Sequence, residues 1–70
     1  MTVERWIAEQ IAQRGIKQKW LAERAGMTEQ KLSSCLTGRR NFKTKEFLSV
    51  CVAADINPLD YPGVGGEAHA

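Results

Sequence analysis

The sequence predicts an all-α fold, a compact bundle of about five short helices that contains a helix-turn-helix. Two observations predict it. Apolar residues recur at helical spacing in successive segments, and a capping residue or a glycine bounds most of those segments. The chain has 70 residues, enough for one domain with a small core. We expect this domain to span residues 1–61, and a flexible, glycine-containing tail to span residues 62–70.

The first predicted helix covers residues 2–14. Val3, Ile7 and Ile11 recur at i, i+4 and i+8 and form one apolar stripe along it. Thr2 is its expected N-cap, and Gly15 suits the left-handed conformation that ends a helix. We therefore expect this helix to bury one face and to expose the others.

A second, shorter helix is predicted to start after residue 17. Leu21, Ala22 and Ala25 form its buried side, and Gly26 can adopt the positive φ that ends it. Lys17 stands at the start of this helix and is a poor N-cap. The sequence therefore predicts a helix that begins without help from a capping side chain.

A third helix is predicted within residues 28–37, with Thr28 as its N-cap and Gly38 at its close. Its inward positions follow the i, i+3, i+4 spacing and are Leu32, Cys35 and Leu36. The remaining side chains of this helix point outward or partly outward. They are polar, mostly short and rich in hydrogen-bonding groups.

A fourth helix is predicted to begin with Thr44 as its N-cap. Its apolar positions recur at i, i+3, i+4 and i+7 and are Phe47, Val50, Cys51 and Ala54. Asp55 is expected in the left-handed exit, which aspartate tolerates better than most residues.

The end of the domain is predicted from a capping residue that precedes a proline. Asn57 followed by Pro58 indicates a short final turn over residues 58–61. We expect this turn to fold Leu59 or Tyr61 onto the core.

Residues 18–37 together have the architecture of a helix-turn-helix. Two short helices that cross steeply need a small residue where their backbones approach, and Ala22 supplies it. The tight turn needs a residue with unusual φ and ψ, and Gly26 supplies it four positions later. The apolar residues expected to point inward around the turn are Leu21, Ala25, Met27, Leu32 and Cys35.

Positive charge is concentrated in the middle of the chain. The net charge is only +2, yet nine basic residues lie between residues 14 and 45, against two acidic ones. The nine are Arg14, Lys17, Lys19, Arg24, Lys31, Arg39, Arg40, Lys43 and Lys45. This asymmetry indicates a polyanionic partner for the middle of the chain. A solvated basic surface without a partner is the alternative.

The run QKWLAERAGMTEQKLS at residues 18–33, followed by LTGRR at residues 36–40, resembles a known family. It is similar to the lambda-repressor/Cro-like (Xre-type) helix-turn-helix domains of bacteria and phages, and the resemblance covers about residues 3–61. The resemblance implies a five-helix fold whose second and third helices read DNA. It also implies that the protein binds operators as a homodimer and represses transcription.

Carried over residue by residue, the resemblance implies two sets of DNA contacts. The expected base contacts are Glu29, Gln30, Ser33 and Ser34. The expected phosphate contacts are Gln18, Lys19, Thr28, Lys31, Thr37, Arg39, Arg40, Lys43 and Lys45. The chemistry of these side chains agrees, because glutamine can pair with adenine and glutamate can accept from cytosine N4. Lysine and arginine supply affinity for phosphates without sequence information.

Some of these positions have a second interpretation. Glu29 can complement the helix dipole instead of reading a base, and Lys31 can be solvated instead of bound to a phosphate. Two residues depart from the family's pattern. Lys17 stands where the family often has a threonine or serine, and Trp20 stands where it usually has a polar residue. Trp20 either packs partly buried against the third helix or Leu36, or donates its indole N–H to a phosphate.

From these observations we expect a sequence-specific DNA-binding transcriptional regulator, a repressor similar to those of phages. It would insert the helix of residues 28–37 into the major groove of double-stranded operator DNA. A homodimer would read half-sites about one helical turn (~34 Å) apart. The alternative is a small helical protein-interaction module, such as an antitoxin or anti-repressor, with Phe42, Leu48 or Val52 in its binding patch.

Other classes of function lack the residues they need. An enzyme is not expected, because the one histidine, His69, lies in the tail and no glycine-rich phosphate loop is present. Cys35 and Cys51 are expected to be reduced core residues, and we expect no metal and no cofactor. No apolar run approaches the ~20 residues of a membrane helix, and residues 1–5 do not begin a signal peptide. The expected location is therefore the cytoplasm, with no membrane partner.

Overall fold

The computed structural model of the chain describes residues 2–62. Within this range the chain forms four α-helices and no β-strand, which confirms the all-α prediction. The helices are α1 (Val3–Arg14), α2 (Gln18–Ala25), α3 (Glu29–Leu36) and α4 (Thr44–Ala54). The predicted fifth helix is a single 3-10 turn, Pro58–Asp60. From residue 63 onward, the predicted tail lies outside the described residues.

Three of the predicted N-caps are confirmed by their hydrogen bonds. Thr2 Oγ1 accepts from the Arg5 N–H at 3.1 Å, and Thr28 Oγ1 accepts from the Lys31 N–H at 3.1 Å. In the 3-10 turn, Asn57 Oδ1 accepts from the backbone N–H two residues later, at 3.0 Å. Each bond satisfies a backbone donor that the helix itself leaves unpaired.

The predicted cap of α4 is wrong by one residue. Thr44 is the first residue of α4, and Lys43 is the N-cap, with extended φ and ψ of −76° and 153°. The capping bond comes from the third position of the helix, where Glu46 Oε1 accepts from the Lys43 N–H at 3.0 Å. A glutamate at this position reaches back to the N-cap N–H, so the helix begins one residue earlier than a threonine cap would place it.

The ends of the helices agree with the sequence prediction. Gly15, Gly26 and Gly38 have φ of 66°, 72° and 82°, in the region that side chains disfavour. Asp55 has φ of 57° and is the non-glycine residue with positive φ among the described residues. Its carbonyl accepts from Arg14 Nη1 at 3.1 Å, which ties the end of α1 to the end of α4.

The core lies where the four helices meet, and α2 packs against both α3 and α4 while α1 packs against α3. Its buried residues are Trp6, Ile7, Ile11, Leu21, Ala22, Leu32, Cys35, Val50, Cys51, Ala54 and Ile56. Both cysteines are free and buried, as predicted. Burial raises the pKa of the Cys51 thiol to about 11, because a thiolate is poorly solvated there.

The final turn contributes an aromatic ring to this core. The Tyr61 ring lies 5.6 Å from the Trp6 ring, centroid to centroid, whereas Leu59 is 73% exposed. Of the two residues that the sequence left open, Tyr61 is therefore the one that packs.

Candidate nucleic-acid interface

The two helices of the predicted DNA-reading unit are joined by a tight turn. α2 ends at Ala25 with Gly26 as its C-cap, and the N–H of Met27 donates back to the Ala22 carbonyl at 2.9 Å. Thr28 then caps α3. Leu32 and Cys35 are fully buried, so they hold the back of α3 against the core. The opposite face of α3 is consequently left at the surface.

The first groove beside α3, which we name the polar groove, contains all four predicted base-reading residues. Its lining is Gln18, Glu29, Gln30, Ser33, Ser34 and Arg39. Glu29 and Gln30 are exposed, and Ser33 and Ser34 are half-buried. Gln18 comes from the start of α2 and Arg39 from the loop after α3. The structure thus brings residues from three segments to one side of α3.

The second groove lies on the other side of α3, and we name it the lysine groove. Its lining is Ala25, Gly26, Met27, Thr28, Lys31, Lys43, Lys45, Glu46 and Ser49. The three lysines are exposed. Four of the nine predicted phosphate contacts therefore surround one depression between the start of α3 and the start of α4.

The first turns of α2 and α3 differ in how their donors are satisfied. Lys17 makes no side-chain capping bond to α2, so the first N–H groups of α2 have no intrahelical or capping side-chain partner. The Thr28 oxygen accepts from a backbone N–H in α3, which leaves its hydroxyl hydrogen available to another acceptor. Both termini therefore present donors, and a helix N-terminus favours an anion.

Arg40 differs from the other cations among the predicted phosphate contacts, because its guanidinium binds two side chains of the protein itself. Its Nη1 and Nη2 donate to the two carboxylate oxygens of Glu46 at 3.1 and 3.2 Å. Nη1 also donates to Cys35 Sγ at 3.3 Å. The side chains are only 27% and 18% exposed for Arg40 and Glu46, respectively. The pair joins the loop after α3 to α4.

The hydrogen bonds of this pair shift the pKa of each partner in the direction that favours its charged form. The bonds from Arg40, together with the Lys43 N–H, lower the pKa of the Glu46 carboxyl below its ordinary value. The same carboxylate raises the pKa of the Arg40 guanidinium. Glu46 is the one carboxylate that lines the lysine groove, and Arg40 offsets its charge.

Two other arginines of the basic segment also have internal partners. Arg14 donates to the Asp55 carbonyl, as described above. The Arg24 guanidinium carbon lies 4.7 Å from the centroid of the Trp20 ring, in a cation–π contact one helical turn along α2. Trp20 is 42% exposed, and the Arg24 guanidinium is the charged group that stacks on its ring.

The two remaining predicted phosphate contacts lie outside both grooves. Lys19 is exposed on α2. The Thr37 hydroxyl lies 3.0 Å from the Ser33 carbonyl and 3.3 Å from the Ser34 carbonyl, to which it donates. Thr37 lines a third depression together with Arg5, at the start of α1. Sequence reasoning missed both this arginine and Ser49 of the lysine groove, because neither belongs to the helix-turn-helix pattern.

Among residues 2–62, no three His, Cys, Asp or Glu side chains come together in a way that could hold a metal ion. No helix in this part of the chain has the length and apolar character needed to cross a bilayer.

Comparison with known proteins identifies the class of this fold and surface. Residues 9–59 match a protein family described as a helix-turn-helix domain, so the chain belongs to that family. The match includes the whole of α2, the turn, α3 and α4. The family indicates a DNA-binding regulator in general terms. No curated protein and no solved structure shows significant similarity to the chain.

Proposed function

We propose that the chain is a sequence-specific transcriptional regulator of the lambda-repressor/Cro-like (Xre) type that represses by occupying operator DNA. Residues 28–37 would enter the major groove. The observation that carries this proposal is the polar groove, because Glu29, Gln30, Ser33 and Ser34 meet there on the free face of a helix whose other face is buried. A helix fits the major groove, where each base pair presents a distinct pattern of donors and acceptors.

Base reading is assigned to the two exposed residues in the first turn of α3. Gln30 can make two hydrogen bonds to the N6 and N7 of adenine, and Glu29 can accept from the N4 of cytosine. Ser33 and Ser34 lie one turn further along the same side and can act as donors or acceptors. Such polar side chains discriminate between bases because an unmatched donor or acceptor loses its bond to water.

Phosphate binding is assigned to both flanks of the recognition helix. Gln18 and Arg39 stand at the outer edges of the polar groove, and the lysine groove supplies Thr28, Lys31, Lys43 and Lys45. Lys19, Thr37 and Arg40 complete the proposed set. Arg40 already donates to Glu46 and Cys35, so we place it last among these contacts.

The size of the recognition helix supports the homodimer that the family resemblance implies. α3 has eight residues, which corresponds to a length of about 12 Å. Such a helix spans about four base pairs, at 3.4 Å per base pair. One copy would therefore read only a short sequence, and two copies on half-sites about one helical turn (~34 Å) apart would read a longer and more selective one.

Selection of binding sites from random double-stranded DNA at two salt concentrations tests the proposal. The expected result is a short sequence motif that occurs twice with twofold symmetry, with binding that weakens strongly as salt rises. A variant with Gln30→Ala should lose preference at one base position, whereas Gln13→Ala, at an exposed glutamine of α1, should select the same motif. Binding without any enriched motif, or no binding at low salt, would refute the proposed function.

A further inference from the structure

A further depression lies on the surface away from the polar groove, between the end of α2 and the middle of α4. Its lining is Arg24, Ala25, Lys45, Leu48, Ser49, Val52 and Ala53. We name this surface the α4 patch. Leu48 is 45% exposed and Val52 is 82% exposed, and they are one helical turn apart on α4. Both therefore present apolar side chains to solvent on the same side of the helix.

These two side chains belong to a continuous surface. Three small, half-buried residues line the same depression, and they are Ala25, Ser49 and Ala53. The patch continues to Trp20 through Arg24, whose guanidinium stacks on the exposed indole at 4.7 Å. Single exposed apolar residues are ordinary on protein surfaces, but a depression with apolar side chains and an aromatic ring at its edge is typical of a binding surface. Phe42 is not part of it, since it packs against the core.

The charges around the patch have one sign. Arg24 and Lys45 are the charged residues that line it, and both are exposed cations. Within residues 2–62 neither of them forms an ion pair, because the ion pairs of this region join Arg5 to Glu9 and Arg40 to Glu46. The two cations of the patch therefore have no acidic partner among residues 2–62, and another molecule could provide one.

We propose that the α4 patch is a docking site for an acidic amphipathic helix of another protein. Apolar residues of that helix, spaced at i, i+3 or i+4, would cover Leu48 and Val52, and its carboxylates would pair with Arg24 and Lys45. A second copy of this chain fits the patch less well. A twofold contact through this surface would bring the cations of both copies into one interface that no acidic residue lines.

The position of the patch places such a partner beside the DNA of the proposed function. Ala25, Lys45 and Ser49 line both the α4 patch and the lysine groove. An acidic helix on the patch would therefore lie next to the phosphates held in the lysine groove and would share Lys45 with them.

Titration of the ¹⁵N-labelled full chain with two synthetic helical peptides tests the proposal. Both peptides carry leucines at i, i+3, i+4 and i+7, with flanking glutamates in one and flanking lysines in the other. The glutamate peptide is expected to bind at least about tenfold more tightly and to shift amides in the segments 24–25 and 45–53. Val52→Glu should weaken this binding at least about tenfold, because it adds a charge of the same sign as the glutamates of the peptide and removes an apolar side chain that the peptide would cover.

Two further variants make the test decisive. Leu59→Glu changes an equally apolar residue that is 73% exposed outside the patch, and it should leave the peptide affinity unchanged. Arg24→Glu should weaken the glutamate peptide and strengthen the lysine peptide. Val52→Glu should leave α4 folded and the affinity for DNA unchanged. The Val52 side chain is 82% exposed and lines neither groove beside α3. Failure of DNA binding in the wild type would refute the proposed function and leave this docking test independent.

Three outcomes would overturn the proposal. The first is equal affinity for the two peptides, or no binding of either. The second is binding of the glutamate peptide that survives Val52→Glu. The third is self-association of the free chain that Val52→Glu abolishes, which would assign the patch to a second copy of this chain.

Discussion

The two grooves beside α3 differ in charge although they share one helix. The polar groove has one cation, Arg39, and one anion, Glu29, among neutral hydrogen-bonding side chains. The lysine groove has three lysines, and its one carboxylate is bound to Arg40. In DNA recognition, base edges are read by directional hydrogen bonds and phosphates by positive charge. In the proposed function, one short helix would carry the base-reading side chains on one side and most of the positive charge for phosphates on the other.

The Arg40–Glu46 pair explains how the lysine groove keeps its charge. Glu46 is needed where it stands, because its carboxylate accepts from the N-cap N–H of α4. Unpaired, the same carboxylate would repel phosphates from the groove. Arg40 offsets that charge through two hydrogen bonds, so the groove keeps the positive charge of its three lysines. A residue predicted to touch phosphate thus has a structural role in the free protein.

The largest effect is expected from removing the support that both grooves share. Leu32→Ala deletes a fully buried side chain from the back of α3, and such changes cost about 2–5 kcal/mol of unfolding free energy. Binding to preferred and to random DNA should fall together. Urea denaturation and DNA titration measure the two effects. Leu59→Ala, at a residue 73% exposed, should change stability by less than about 0.5 kcal/mol. A specific loss of only one kind of DNA binding would contradict a shared support.

A change in the polar groove should affect selectivity alone. Gln30→Ala is expected to cost about 1–3 kcal/mol of binding free energy on the preferred sequence and little on random DNA, because it removes a base contact and no charge. Gln13→Ala removes an exposed glutamine from α1 and should change neither affinity. Competition titrations with the two kinds of DNA measure both values. Equal losses on preferred and random DNA would mean that Gln30 does not read a base.

The features that local spacing decides were predicted from the sequence. The 3.6-residue period turns Leu32 and Cys35 inward, so the outward set on α3 follows from the same period. Thr2, Thr28 and Asn57 cap as predicted, since a side chain bonds to a backbone N–H only two or three residues away. The grouping of the base-reading candidates in one groove therefore required only a correct placement of α2 and α3.

The features that depend on how helices are placed relative to one another were not predicted. Arg40 meets Glu46 across a loop, and only the direction in which α4 leaves that loop decides whether the two side chains can meet. Once there, Glu46 also takes the capping role that the sequence prediction gave to Thr44. The stacking of Arg24 on Trp20 could have been found, because the two residues are four apart on α2.

A change in the lysine groove should affect all DNA sequences to the same extent. Lys43→Ala is expected to weaken binding to preferred and random DNA alike and to lower the slope of log K against log salt by about one. Lys43 makes no side-chain capping bond, so its helix should be unaffected. Lys17→Ala is the matched control, since Lys17 is also an exposed N-cap without a capping bond and lines neither groove. A loss confined to the preferred sequence would contradict the division between the grooves.

The smallest effect is expected from the pair that neutralises the lysine groove, and pH reveals it. Hydrogen bonds from Arg40 lower the pKa of the Glu46 carboxyl in the folded protein. Ionised Glu46 therefore stabilises the fold at pH values above 4.5, the ordinary pKa of the group. This contribution is lost as the pH falls below 4.5 and through the lowered pKa. Glu46→Gln should therefore flatten the acid side of the stability profile measured by urea denaturation. Glu9→Gln, in the more exposed pair with Arg5, should leave the profile nearly unchanged. Parallel profiles for the wild type and Glu46→Gln would show that the pair does not hold the loop against α4. The positive charge of the lysine groove would then need an explanation other than the pairing of Glu46 with Arg40.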